Sequence, residues 1–412
     1  RDIKYVDTLM SGIKLKRSIL NKSKCEDLSE GVYGVIRKRF DKLPRKQVLY
    51  YGKKHGVSEN ALFIAAFNYC ISMYSDEEKV FVNSIHSGRT DSRWNRIVGP
   101  LFETYYCKYD KVSHEKVEKL LKRTGKQIME TMKCLTSCPR QGEMFLQFQG
   151  DILETPQIGG ENTERMHIQL DSLPFHLQVM YDDNGYYAEL RFWENRFDKK
   201  LLEIFLDVFE SILLAMLDET SVRCLKEHLP QEVYPKHYYV NVSKLNKAAG
   251  SKIISEEQSD EQIKVYVLDD DYSKKPYGAW GKVYIMDYEP INCAKIVQYP
   301  YGEGVLYDTG IIGRILPDGT IDFLENAGRS VLTDGIHGRK YYDLKLLEKY
   351  ILEYGGVKDA ECYLVYDPEI NEMSLYADIK TDSAQIDIAG LKEFVRDKAG
   401  DDVFLKNVEI VQ

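Results

Sequence analysis

Residues 305–324 read VLYDTGIIGRILPDGTIDFL. Val305, Leu306 and Tyr307 form a short apolar run into Asp308-Thr309-Gly310. Ile315 and Leu316 then enter Pro317-Asp318-Gly319, and Ile321, Phe323 and Leu324 lead back. Proline presets the backbone angle of a type I or II turn and glycine tolerates its tightest position, so the stretch predicts two short strands around a tight turn.

Outside this stretch, 412 residues are enough for two or three domains with separate cores. The 43% hydrophobic and 29% charged content is that of a globular chain. A net charge of −9 argues against a general nucleic-acid binder, which needs a net basic face. Eight cysteines show no dense framework. Cys134 and Cys138 are the one close pair, and without a second Cys or His pair they do not make a zinc site. Free thiols in a reducing cytoplasm are expected, and no metal. No apolar run reaches the roughly 18 residues of a membrane span. Starting at Arg1 without a signal-like segment, the chain is expected to begin inside a larger polypeptide.

In chain order, Tyr33 to Phe40 reads as a strand and Pro44 to Tyr51 as a short helix. Ser58 caps SENALFIAAFNYCISMYS, apolar nearly all round and therefore a buried helix. A strand over Val80 to Ile85 ends at His86-Ser87-Gly88-Arg89. Glu115 to Met132 reads as a charged amphipathic helix. FHLQVMYDDNGYYAELRFW, from Phe175 to Trp193, predicts a hairpin about its Asp-Asn-Gly turn. Asp198 caps a helix whose Leu201, Leu202, Phe205, Val208, Phe209 and Ile212 form a broad apolar stripe.

Two resemblances arise from these residues. Ser87-Gly88-Arg89 followed by Val98-Gly99-Pro100-Leu101-Phe102 resembles the condensation domain of nonribosomal peptide synthetases, as does the Phe197-Asp198 helix start. It covers residues 1–230 and implies the second of that domain's two lobes. From Val265 onward the chain resembles the end of an adenylation core. The Asp308-Thr309-Gly310 run with its Pro-Asp-Gly hairpin resembles the seventh adenylation motif, whose acid after Thr-Gly binds the ribose hydroxyls of ATP. That position is Ile311, which cannot accept a hydrogen bond. Gly328-Arg329 through Ile336-His337-Gly338 resembles the eighth motif, with Val331 in place of the hinge aspartate. The phosphate loop is missing between the two resemblances, and the chain stops short of the last catalytic lysine.

The resemblances imply a chloramphenicol acetyltransferase-like α/β lobe over 1–230, a linker over 231–262, a β-rich adenylation remnant over 263–330 and an α+β terminal subdomain over 331–412. The subdomain is expected to dock in one orientation on the 263–330 piece. No catalytic residue is assigned, because the family's His-His-x3-Asp-Gly motif occurs nowhere in these residues. Gly310, Ile311, Arg329 and Val331 are read as degenerate nucleotide positions. His86, Ser87 and Arg89 are candidates to face substrate or carrier, against a structural reading as packed or paired residues. Asp269-Asp270-Asp271 diverges too much in a turn to hold a metal. The implied function is a non-adenylating platform supporting amide formation between carrier-bound thioesters, its active site completed by a preceding lobe. The alternatives are an inactive docking module and, last, an unusual adenylating enzyme. The chain is expected to hold no cofactor itself. Its partners would be carrier proteins bearing phosphopantetheine and the rest of a synthetase, in the cytoplasm, with no nucleic acid or membrane.

Overall fold

The computed structural model describes residues 5, 8–16, 18–22, 32–86, 103–112, 114–133, 143–150, 157–158, 161–162, 173–218, 220–235, 238–249, 253–255, 261–286, 288, 290, 293, 295–300, 302–324, 330–335, 338–370, 372–381, 386–400 and 402–411. The first sheet contains β1 (Tyr33–Arg39), β2 (Lys79–His86), β3 (Glu103–Asp110), β4 (Met144–Gly150), β5 (Phe175–Asp182) and β6 (Gly185–Trp193). Their order is β1-β6-β5-β4-β2-β3, with β4 parallel to both β5 and β2. Helices α1 (Arg45–His55), α2 (Glu59–Ser75), α3 (Val117–Thr131) and α4 (Lys199–Asp218) complete this part.

The alternation of the hairpin explains how the layers join. Phe175, Leu177 and Val179 on β5, with Ala188, Leu190 and Phe192 on β6, belong to one core with α2 and α4. Phe67 on α2 meets Phe205 and Phe209 on α4 edge-on, both at 5.8 Å. The α2 start is the one its sequence signals, since Ser58 Oγ accepts the Ala61 N–H at 3.2 Å. Asp198 Oδ1 accepts the Leu201 N–H at 3.0 Å at the head of α4.

The second sheet holds β7 (Tyr239–Asn241), β8 (Gln262–Leu268), β9 (Gly281–Ile285), β10 (Lys295–Gln298), β11 (Val305–Ile315) and β12 (Ile321–Phe323). Its order is β10-β11-β9-β8-β7, with β12 paired to β11. Residues 239–249, within the stretch read as a linker, supply β7 and helix α5 (Val242–Ala249), whose Val242 and Leu245 join this sheet's core. The hairpin at Pro317-Asp318-Gly319 forms with Ile315 opposite Ile321 and Gly313 opposite Phe323. The Asp308-Thr309-Gly310 run does not end the strand. β11 runs through it, and its register against β9 shifts between Lys282 and Tyr284. Gly310 takes a left-handed φ of 72°, which lets an extended strand absorb the irregularity as a bulge.

The third part begins with the hairpin β13 (Ser330–Gly335) and β14 (Gly338–Asp343). Helix α6 (Leu344–Leu352) follows, capped by Asp343, then β15 (Val357–Asp367), β16 (Glu372–Thr381), α7 (Ile388–Ala399) and β17 (Leu405–Ile410). The three-stranded sheet is ordered β15-β16-β17, with β17 parallel to β16.

This last part was expected to dock on 263–330 and instead packs on the beginning of the chain. Its core is continuous with Leu9, Met10, Ile13, Phe81 and Tyr106, and no described residue of 263–330 belongs to it. The reason is an open strand edge. Leu15 exchanges both backbone hydrogen bonds with Leu364 on β15, at 2.9 and 3.0 Å. Lys14 lies over the Tyr363 ring and Lys16 bonds Glu361 at 2.9 Å, so the segment enters as a short extra strand.

Candidate functional site

The nucleotide-like position sits on β11. Thr309 Oγ1 donates to the Val283 carbonyl at 2.7 Å, and the Gly310 N–H donates to Asp308 Oδ1 at 2.9 Å. Gly310 is exposed, but Ile311 turns inward and is only 4% accessible. It lies in the cluster that holds Val265, Val283, Ile285, Ile315 and Phe323. A carboxylate there would lose its hydration without a charged partner, which costs several kcal/mol on the order of a buried ion. The local environment therefore fits an alkyl group and no ribose contact. Val331 pairs in register with Tyr342 across the β13–β14 hairpin. Arg329 lies outside the described residues.

The strand-end candidates are placed only in part. His86 is the last residue of β2 and stands in register opposite Glu103 on β3. Ser87 and Arg89 lie outside the described residues.

The sequence reading missed a polar file on the sheet face that points away from the helices. His176 and Gln178 alternate with the core residues of β5, and both are buried. His176 Nε2 lies 3.1 Å from Gln147 Oε1 on β4, and Gln178 Nε2 donates to that same oxygen at 3.3 Å. Gln178 Oε1 has no hydrogen-bond partner among the described residues. On β6, Glu189 binds Arg37 at 2.8 Å and Arg191 at 2.8 Å. Burial opposes the Glu189 charge, yet the two guanidinium groups hold its pKa below the usual carboxylate range. The period-two pattern of FHLQVM was the available signal for this file. Polar residues at alternate positions of a buried strand mark a second face with its own role.

Buried charges tie the first and second sheets together. Arg314 on β11 is fully buried and donates to Asp322 at 2.9 and 3.1 Å. It also donates to Asn21 Oδ1 at 3.1 Å and to the Asn21 carbonyl at 2.9 Å, with the Trp280 ring 4.6 Å away. Trp280 Nε1 donates to the Ser18 carbonyl at 3.3 Å. Lys275 reaches from the second part to Asp76 at 2.6 Å and the Met73 carbonyl at 3.0 Å, at the end of α2. Burial pulls its pKa down against the pull of Asp76.

The aspartate run is a set of ion pairs. Lys226 binds Asp269 at 2.7 Å and Asp271 at 3.1 Å, and Lys282 binds Asp270 at 3.0 Å. Among the described residues no group of His, Cys, Asp or Glu is arranged to hold a metal. Cys70 and Cys107 are buried free thiols, and burial pushes both well up. No described helix is long and apolar enough to cross a membrane.

No protein-family model matches the sequence. A stretch of 106 residues is 35% identical to surfactin synthase subunit 3 of Bacillus subtilis (strain 168), covering 23% of this chain and 8% of that protein. The structure is similar over 100% of its length to holo-AB3403, a four-domain nonribosomal peptide synthetase solved with AMP and glycine. The TM-score is 0.60, the identity 10%, and 56% of that chain is covered. The X-domain from teicoplanin biosynthesis aligns with 54% of this chain and 56% of its own, at TM-score 0.45 and 12% identity. The chain thus spans about half of the synthetase it matches in structure and a small part of the curated relative. The fold is similar to that of part of a four-domain nonribosomal peptide synthetase, and a quarter of the sequence is similar to a surfactin synthase subunit.

Proposed function

We propose that this chain is a non-adenylating platform within a peptide synthetase-like protein. Its 1–230 part acts as the second lobe of a condensation site completed by a preceding lobe. The 263–330 and 331–412 parts buttress that lobe and do not activate amino acids. The observation that carries this reading is Ile311, a buried alkyl group at the position where the resembled motif has its ribose-binding acid. The buried Arg314 cluster supports the buttress role, because it uses a remnant strand to hold residues 18–22 of the 1–230 part in place. Carrier proteins bearing phosphopantetheine are the proposed partners, and the cytoplasm the proposed compartment. His86, Ser87 and Arg89 are proposed to face the carrier-bound substrate. Gln178, whose Oε1 has no partner among the described residues, is proposed to accept an N–H on the same sheet.

The test has two arms. Amino-acid-dependent exchange of pyrophosphate into ATP by the purified chain is expected to be absent across all proteinogenic amino acids. Exchange that disappears in Arg329→Ala would overturn the non-adenylating reading. Amide formation between two carrier-bound thioesters, measured with the parent protein, is expected to fall when the core between α4 and the first sheet is disrupted by Phe205→Ala. Unchanged amide formation in a folded deletion of 1–230 would exclude the condensation role.

A further inference from the structure

The outer edge of β8 carries a cleft. β7 pairs with β8 only as far as Lys264, where Tyr239 stands opposite, and the Val265 N–H then donates to the Tyr238 carbonyl at 2.9 Å. Further along, the Lys275 N–H donates to the Val267 carbonyl at 3.1 Å. Pro235 lines the space between these attachments and has no N–H to offer the strand. The cleft has a volume of about 240 Å³. Its walls come from both faces of the sheet at this edge. Val265, Val267 and Ile315 belong to the core of the second sheet. Tyr266, Met286 and Tyr299 pack instead on the smaller cluster around Leu268 and Tyr284.

Aromatic surface and positive charge meet in this space. The Tyr266 and Tyr299 rings lie with centroids 6.5 Å apart, tilted by 42°, and the Met286 thioether beside them is a favourable neighbour for a further ring. The Tyr238 hydroxyl donates to the Gly319 carbonyl at 2.6 Å, which leaves its ring as the group it can offer the cleft. Lys264 Nζ lies 5.0 Å from the Tyr266 ring centroid. Lys274 is exposed and makes no ion pair among the described residues. Lys275 also lines the cleft, but its ammonium is bound to Asp76. Water fills such a space poorly, because each held molecule needs about two to four polar partners and alkyl and ring walls supply few. We propose that the cleft binds a small aromatic carboxylate, its ring against Tyr299 and Met286 and its carboxylate against Lys264 and Lys274. Drug-sized ligands occupy about 300–1,000 Å³, so the smaller volume here restricts the occupant to one ring with a short substituent. Gly310, Ile311 and Val331 are not among the described residues that line the cleft, so this site is separate from the nucleotide-like position.

The experiment titrates benzoate into the intact chain and follows binding by saturation-transfer NMR and calorimetry. Acetate, which keeps the charge without the ring, and benzamide, which keeps the ring without the charge, are titrated in parallel. Benzoate is expected to bind about tenfold more tightly than either. The double variant Lys264→Met, Lys274→Met should weaken benzoate about tenfold and leave benzamide unchanged. Tyr299→Ala removes an aromatic wall without altering charge and should weaken both ring-bearing probes several-fold. Lys345→Met, at an exposed lysine on α6, is the control and should change nothing. Melting of each unliganded variant checks that it folds, and Tyr299→Ala decides the site where the double variant does not. Benzoate affinity unchanged in the folded variants would overturn this cleft as the site. Acetate binding as tightly as benzoate would overturn the aromatic ligand, and benzamide binding as tightly would overturn the anionic one. Absence of saturable benzoate binding to the unaltered chain would overturn the proposal outright.

Discussion

Replacing Arg314 by alanine removes the group that joins residues 18–22 to the second sheet. Arg314 is fully buried and makes four hydrogen bonds, two to Asp322 and two to Asn21. Its loss leaves the buried Asp322 carboxylate without its guanidinium partner, and breaking a buried pair from one side costs about 3–5 kcal/mol. The two Asn21 acceptors lose neutralising donors as well, and orphaned buried acceptors cost about 1–3 kcal/mol each. These terms overlap, so we expect a loss of about 4 kcal/mol or more, a large part of the ~5–15 kcal/mol that holds a domain folded. The assay is urea denaturation followed by tryptophan fluorescence, because Trp280 lies against the guanidinium. A second variant isolates the charge. Arg314→Met with Asp322→Leu removes both ions and should recover most of the loss, since well-packed apolar replacements of buried pairs are commonly neutral. A loss below about 1 kcal/mol in Arg314→Ala would refute the argument that this pair is desolvated and holds residues 18–22 in place.

Phe205→Ala should cost about 3–5 kcal/mol by thermal melting, because its ring packs against Phe67, Tyr74 and Phe175 in a closed core. Ile311→Asp should lower the melting temperature and yield no ATP binding in calorimetry, since a restored acid would be buried among alkyl groups. Nucleotide binding by that variant would contradict the placement. Leu15→Pro removes the N–H given to Leu364 and should release the terminal part from the first segment, seen as an enlarged radius in small-angle scattering. Acid should also destabilise the fold. Lys282 lowers the Asp270 pKa, and Arg37 and Arg191 lower that of Glu189 against the effect of burial. A lowered folded-state pKa contributes stability above the unfolded value of about 4 and loses it as pH falls through the folded value. Melting temperatures should therefore hold above about pH 5 and drop below about pH 4, with a shallower drop in Glu189→Gln.

The sequence by itself determined the local elements, because the signals that set them are local. Ser58, Asp198 and Asp343 announce helix starts through side chains that accept the next free N–H groups. The Asp-Asn-Gly and Pro-Asp-Gly turns announce their hairpins through backbone angles few other residues tolerate. Ile311 was legible as an alkyl group in place of an acid. Only the tertiary structure decided what surrounds it, because the cluster comes from β8, β9, β11 and β12 together. The same holds for Arg314, an unremarkable arginine in a strand until Asn21, 293 residues earlier in the chain, is brought against it. The docking of the terminal part was misread for a related reason. Apolar strand faces say that a surface will be buried, while the partner is set by an open edge and by Lys14 and Lys16 reaching acids on β15 and β16. Pairings between residues far apart in the chain leave no periodic trace in either segment, and they are the contacts that join the parts of this protein.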